Sequence, residues 1–389
     1  MDEVIVRIAA RGDGVTASGR RAAFAAPGDC LHVNGTVVPG PHHQVPPCRY
    51  FPECGGCQLQ HVDDFAYRDY LVERIAGALV QHGLETRIEA PHLSPPRSRR
   101  RATLRALKAG NATVIGFNAA KSNQIVDMRE CHVLRPELFA LVAPLRVLLG
   151  DLLRPKRVAE VQLALADQGP DVLIKGVEVA GFDQQMRVTD FAQEQRLARL
   201  SIDGGLGPET MYEPEPATVT LSAKPVRLPP GSFLQATEDG EAALVTAVRS
   251  AIAVAGPVAD LFAGLGTFAL AVDAAYAAEA SRDSCAALAQ AARSTKVEHR
   301  DLYRRPLDPA ELSRFGAVVL DPPRAGAAEQ VAALASSTLG RIAYVSCNPA
   351  TFARDARTLV DGGYALDWVK PVGQFRWSTH IELTGCFTR

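Results

Sequence analysis

The sequence has no excess charge of either sign: 42 lysines and arginines stand against 43 aspartates and glutamates, a formal net charge of −1. That balance excludes an overall basic field as the means of attracting nucleic acid, so any such role must rest on local clusters. No stretch approaches the roughly 18 uninterrupted apolar residues of a membrane span. The N-terminus is acidic and lacks the sustained apolar region of a secretory leader. A cytoplasmic protein with no membrane partner is expected. No internal repeat stands out, nor any low-complexity segment beyond the alanine richness of residues 242–292. A second close cysteine pair is also missing: of eight cysteines, only Cys54 and Cys57 form a CxxC. At 389 residues the chain can hold two or three domains with ample core.

What is present concentrates in the C-terminal part. Ile342 to Val345 is short, apolar and partly β-branched, as a buried strand of a parallel sheet would be, and Ser346-Cys347-Asn348-Pro349 follows. Pro349 cannot continue a strand but suits the first turn of a helix, which Thr351 to Leu359 supplies. Ligands of open α/β sheets bind beyond the carboxyl ends of the strands. Cys347 would sit there. The apolar run Ala317 to Leu320 ends in Asp321-Pro322-Pro323-Arg324, which places a carboxylate at the same rim. Val258 to Phe268, with Gly264 and Gly266, reads as strand, glycine turn and helix, where the backbone can approach a ligand closely.

These stretches, DLFAGLGTFAL, DPPRAG, YVSCNPATFARD and HIELTG, joined by GSFLQ, span residues 231–385 and resemble the RNA uridine-C5 methyltransferases. That family is a branch of the class I S-adenosylmethionine-dependent enzymes. The resemblance implies an α/β fold with a Rossmann-like doubly wound sheet and 5-methyluridine formation. Uracil C5 is a poor nucleophile until a thiolate adds to C6; the resulting enolate attacks the sulfonium methyl, and a base then removes the C5 proton. Cys347 is the nucleophile implied. Thr379 to Leu383 alternates as a strand would, so His380 and Glu382 share a face. By resemblance Glu382 is the base; from spacing alone His380 is an equal choice. The resemblance further implies that Gln235, Asp260, Phe262, Gly264, Gly266, Thr267, Glu279, Asp301 and Asp321 serve the cofactor, with Glu279 on the ribose hydroxyls, Asp301 near the adenine, and Gln235 on cofactor or uracil.

Clustered cysteines in a reducing compartment suggest metal rather than disulfides. Cys48, Cys54 and Cys57 make C-x5-C-x2-C, with Cys131 remote. Zinc sites usually use two close pairs, whereas three clustered cysteines plus one suit an iron–sulfur cube, with zinc the alternative. The stretch PCRYFPECGGCQLQ resembles the iron–sulfur subgroup of the same family, and Cys131 in Arg-Glu-Cys-His matches its fourth ligand. A 4Fe-4S cluster is therefore expected, and with it a 23S-rRNA type of substrate. Cys30, Cys285 and Cys386 are expected to be buried small apolar residues.

Three parts are expected along the chain: residues 1–40, a shortened OB-like segment resembling the TRAM domain; residues 41–230, a strand-rich central domain holding the cluster, with a helix over Phe65 to Val80; and residues 231–389, the catalytic domain. Pro214 to Pro230 reads as the connection into the last part, and a monomer is expected. Arg97, Arg99, Arg100, Arg101, Arg105 and Lys108 crowd one stretch, as either a solvated face or a phosphate-neutralising patch. Other readings are a tRNA uridine-C5 enzyme, an exocyclic-amine methyltransferase, or a non-catalytic RNA-binding iron–sulfur protein. An exocyclic-amine enzyme would place an aromatic after Asp-Pro-Pro, where Arg324 stands, and would leave Cys347 without work.

Overall fold

The computed structural model describes residues 1–110, 112–253 and 256–389. In its C-terminal half, short apolar runs form four-residue strands such as Val258–Leu261 and Ala317–Leu320, buried at every position. Burial on both faces is what a parallel sheet covered by helices requires. Residues alternate between the two faces. Val258, Ala317, Val319, Ala343 and Val345 pack against helix Glu238–Ala251, while Leu261, Val318, Leu320, Ile342 and Tyr344 share a core with helices Pro349–Asp361 and Asp64–Gln81.

The strand order runs Lys296–His299, Tyr276–Glu279, Val258–Leu261, Ala317–Leu320, Arg341–Ser346, Glu382–Thr388, Ala365–Gly373, Arg87–Ile88. The first five pair in parallel, and Glu382–Thr388 inserts antiparallel between its two neighbours. Chain order reverses between Val258–Leu261 and Ala317–Leu320, which is where a doubly wound sheet opens a ligand crevice.

A six-stranded sheet forms a second body, in the order Glu209–Tyr212, Arg199–Asp203, Gly169–Lys175, Val158–Ala166, Arg101–Ala109, Ala112–Gly116. Ala102, Leu104 and Ala106 point to the core beneath helix Val142–Leu152. By the two-residue period of a strand, Arg101 and Arg105 face the other way. Five short antiparallel strands between Glu3 and Val38 form a third sheet, in which the two edge strands do not pair with each other among the described residues. Its own core is four side chains, Ile5, Ala22, Ala25 and Leu31, while Ile8 and Ala26 join the core of the nine-stranded sheet.

Several elements differ from the sequence reading. Residues 41–230 do not form one body: helix Asp64–Gln81 packs in the core of the C-terminal sheet, and Arg87–Ile88 pairs with Ala365–Gly373. Pro214 to Pro230 is not a bare connection. It contains the hairpin Thr218–Leu221/Lys224–Arg227, whose Val219, Leu221 and Val226 pack against Leu265 and Leu288. The C-terminal strand begins at Glu382, so His380 precedes it.

Candidate active site and cysteine centre

Beyond the carboxyl ends of the parallel strands lies a cavity of about 720 Å³, within the range of small-molecule sites. One end is the glycine turn. Phe262, Gly264 and Gly266 all adopt positive φ, at 65°, 54° and 92°. A Cβ on Gly264 would meet nothing within 4 Å, so glycine leaves backbone open to the cavity, whereas a Cβ on Gly266 would lie 2.3 Å from Leu288 Cδ1. Gly266 thus serves close packing of the turn and is not itself on the cavity wall. Glu279 lines the cavity and accepts hydrogen bonds from Gly264 N at 2.9 Å and Ser281 N at 2.7 Å. Asp301 accepts from Tyr303 N at 3.0 Å, and the Tyr303 ring lies 5.5 Å from that of Phe262.

Asp260 is set differently from its expected place. It is fully buried beneath the wall, and neither carboxylate oxygen has a hydrogen-bond partner among the described residues. Burial, then the nearby charge of Asp321, raises its pKa well above the carboxylate range. Burial of that kind disfavours the charged carboxylate.

The other end brings together Cys347, Asp321, Glu382, Gln235 and His380. Cys347 stands between strand Arg341–Ser346 and helix Pro349–Asp361, which Asn348 caps by accepting from Ala350 N. The same Asn348 donates its amide to Arg324 O at 3.1 Å, tying the two loops. Asp355 secures them from behind, accepting from Tyr344 Oη at 2.6 Å and Ala327 N at 2.9 Å. Gln374 donates to Gln235 Oε1 at 2.8 Å, and Gln235 in turn reaches Asp321 Oδ2 at 3.5 Å.

The electrostatics follow from crowding carboxylates in a buried place. Glu382 is 5% exposed, and burial together with Asp321 pushes it up to about 8, against the pull of Gln374 and Arg101. Burial and Glu279 raise Asp321 to about 7. Burial, Glu382 and Asp321 push the Cys347 thiol up to about 11. His380 is lowered by burial and by Arg324 and Arg99.

The arginine run does not form one face: Arg97 is exposed, while its neighbours turn to different partners. Arg100 is buried on Glu241 at 2.5 Å, Arg105 pairs with Glu160 at 2.9 Å, and Lys108 donates to Gly150 O. Arg99 lies over the Phe375 ring, and Arg101 enters the cavity, 4.5 Å above the ring of Phe233. Sequence reading missed Arg101, Phe233, Tyr303 and Phe375 as cavity walls. Only alternation along the Arg101 strand could have separated Arg101 from its neighbours.

Cys48, Cys54, Cys57 and Cys131 line one small cavity with Phe117, Val126, Met128 and Val133. Arg49 and Glu130 hold the two segments together, with Arg49 N donating to Glu130 Oε1 at 2.8 Å. Among the described residues, the group of three whose ligating atoms lie mutually within 4.8 Å is Asp2, Cys30 and His32, so no three of the four cysteine sulfurs come that close together. Burial, chiefly, raises all four thiols, Cys57 to about 12; the other cysteines add to it at Cys48, Cys54 and Cys57, and Glu130 adds to it at Cys131. Cys285 and Cys386 are buried as expected, but Cys30 is only half-buried.

A family described as tRNA (Uracil-5-)-methyltransferase matches residues 282–389. Uncharacterized RNA methyltransferases are similar along the whole chain: one of Zymomonas mobilis is 50% identical over 393 residues, 99% of each chain, and one of Caulobacter vibrioides 40% over 417, covering both fully. The 23S rRNA (uracil(1939)-C(5))-methyltransferase of Chromohalobacter salexigens is 33% identical over 380 residues, 93% of this chain and 80% of that one. In structure, Pyrococcus abyssi tRNA (uracil-54, C5)-methyltransferase, solved with S-adenosyl-L-homocysteine, aligns with a TM-score of 0.76 over 100% of this chain and 99% of its own, at 22% identity. At that identity the likeness is one of fold.

Proposed function

Because this chain belongs to the RNA uracil-C5 methyltransferase family, we propose that its large cavity binds S-adenosylmethionine at the glycine turn and a uracil base at the Cys347 end. The carrying observation is that one cavity joins an open glycine turn to a thiol and a buried carboxylate. The residues suit the cofactor. Gly264 leaves backbone bare for close approach, and Glu279 retains acceptor capacity for ribose hydroxyls after its two amide bonds. Phe262 and Tyr303 offer apolar faces for a purine between Asp301 and the turn. The cofactor supplies a methyl group on a cationic sulfonium. A wall containing Glu279, Asp301, Asp321 and Glu382 favours that cation, and the cation in turn would lower the raised pKa values of Asp321, Glu382 and Cys347.

In the reaction, Cys347 as thiolate forms a bond to uracil C6 and places an electron pair at C5. C5 takes the methyl group, and the sulfonium S–C bond breaks to leave a neutral thioether. Glu382 accepts the C5 proton, the C5–C6 double bond re-forms, and the C6–S bond breaks to free Cys347. Arg101 has an unpaired Nε and a guanidinium in the cavity, which suits the enolate oxygen. Asp260, fully buried below the wall, would underpin the turn.

The cysteine quartet fits a 4Fe-4S cluster better than zinc. One tetrahedral zinc at 2.3 Å from each sulfur holds all its thiolates about 3.8 Å apart, whereas no three of these sulfurs lie mutually within 4.8 Å among the described residues. In a cube each thiolate meets a different iron. With such a centre, ribosomal RNA is the favoured substrate, in keeping with the 33%-identical relative. Incubation with 5-fluorouridine RNA tests the chemistry: fluorine at C5 blocks proton removal, so a denaturant-stable adduct through Cys347 should form with cofactor present. An equally abundant adduct in Cys347→Ala would refute the assignment. Nucleoside mapping of rRNA and tRNA from a deletion strain tests the substrate.

A further inference from the structure

The segment Gln374 to Ile381 leads from the strand ending at Gly373 to the strand beginning at Glu382, and it delivers Phe375 and His380 to the cavity wall. Its middle turns the opposite way. Trp377 is 4% exposed and packs with Cys57 and Val133, beside Cys131. Its carbonyl accepts from Gln58 N at 2.8 Å and Leu59 N at 2.9 Å, and Thr379 N donates back to Gln58 Oε1 at 3.4 Å. Those partners directly follow Cys57 in the cysteine loop.

Trp377 holds a φ of 57°, a left-handed conformation that a bulky residue rarely adopts. Such strain persists only where the surroundings over-determine it, and here they do. Tyr67 Oη donates to Phe375 O at 3.1 Å and Ser378 O at 2.9 Å. Arg376 pairs with Asp64 and lies 4.9 Å over the Trp377 ring. Arg99 lies 5.4 Å over the Phe375 ring. The left-handed turn is what lets Phe375 face the cavity while Trp377, two residues on, faces the cysteines.

We propose that Trp377 is a positioning residue: it ties the segment carrying Phe375, His380 and the start of the Glu382 strand to the cysteine centre, so that an intact centre sets the geometry of the uracil end of the active site. The inference rests on the reading of Cys48, Cys54, Cys57 and Cys131 as cluster ligands. It accounts for a cluster in an enzyme whose methyl transfer involves no electron transfer. Its role is to hold a loop, and the cofactor end, built on other strands, does not depend on it.

The ring, rather than its indole N–H, carries the tie, because Trp377 Nε1 is buried without a hydrogen-bond partner among the described residues. Trp377→Phe should therefore function, whereas Trp377→Gly relieves the backbone strain yet loses the contact. With anaerobically purified holoenzyme, Trp377→Gly should keep wild-type iron, sulfide and S-adenosylmethionine affinity. Its single-turnover methylation of RNA should fall by about tenfold or more, the scale of a misplaced reacting group, and Trp377→Phe should recover nearly all of it. In the unmodified protein, chelating the metal should raise amide hydrogen exchange at residues 375–381 and leave residues 260–268 unchanged. Wild-type turnover in Trp377→Gly, or unaltered exchange at 375–381 after metal removal, overturns the proposal. If Trp377→Gly fails to fold, the exchange measurement decides alone. If the wild type contains no iron or sulfide, the cluster reading has failed, and the rate ratio of the Gly and Phe variants still decides whether the tie positions the loop.

Discussion

Replacing Glu382 by Gln should separate methyl transfer from product release, because in the proposed mechanism this carboxylate has two opposed effects. As a base it is needed only after C5 has taken the methyl group. As a charge it obstructs the earlier step, since it is among the groups pushing the Cys347 thiol up to about 11. Glu382→Gln removes both effects. Thiol addition should proceed at least as fast as in wild type, and methylation should follow. Proton removal should slow by about 10² to 10⁴-fold, the usual contribution of a positioned base. With unmodified RNA and radiolabelled methyl donor, the variant should give a burst of up to one covalent RNA–protein species per chain. That species should carry the label and persist on a denaturing gel. Cys347→Ala and the double variant should show none. Normal turnover in Glu382→Gln, with the trapped species appearing instead in His380→Ala, would refute the assignment and make His380 the base.

The same carboxylate predicts a pH-dependent stability. A group whose folded pKa is raised from 4.5 to about 8 favours the folded state at low pH and loses that contribution as pH rises through 8; the shift corresponds to at most about 5 kcal/mol, and to less once coupling to Asp321 is considered. Without cofactor, Glu382→Gln should match wild type in thermal melting at pH 5 and exceed it by several degrees at pH 9. Anaerobic protein should carry about four irons and four sulfides per chain, and Cys131→Ser should lose them; one zinc and no sulfide would overturn the cluster. Gly266→Ala should weaken cofactor binding measured by calorimetry, because its Cβ meets Leu288 Cδ1 at 2.3 Å and its φ is 92°; Leu288→Ala should relieve part of that defect but not the backbone strain.

The parts of the site legible in the sequence share a physical cause. A parallel strand buried on both faces must be a short apolar run, and the chemistry follows where the run stops. Hence Cys347, Asp321 and the glycine turn could be placed at one rim from local pattern alone, and the helix read at Phe65 to Val80 is Asp64–Gln81. What was not legible depends on contacts distant in sequence. Whether Arg101 faces solvent or the cavity depends on how the six-stranded sheet meets the other. Asp260 ends its strand as a cofactor ligand would, yet the turn seals it below the wall. The alternation of Thr379 to Leu383 suggested a strand, but Tyr67, Asp64 and Gln58, more than 300 residues earlier in the chain, hold residues 375–380 in a loop.

On the proposed roles of Cys347 and Glu382, the site alone is poorly disposed toward the chemistry, and a cationic cofactor would correct that. With Glu382 at about 8 and Cys347 at about 11, neither nucleophile nor base is fully ionised near neutral pH. A buried set of carboxyls cannot all hold charge without a cation, so protons occupy the site until one arrives. In the proposed site a sulfonium beside Asp321, Glu382 and Cys347 would favour the ionised form of each, so that thiol and base would be activated only with a methyl donor in place. The acid limb of kcat/KM should accordingly lie near pH 8 in the free enzyme, and that of kcat lower, once the complex is formed. Because S-adenosyl-L-homocysteine lacks the positive charge, 5-fluorouridine RNA should add to Cys347 more slowly with the product than with sinefungin, an analogue that carries an amine where the sulfonium stands. Equal adduct rates with the two would show that filling the cavity, rather than charge, activates the thiol.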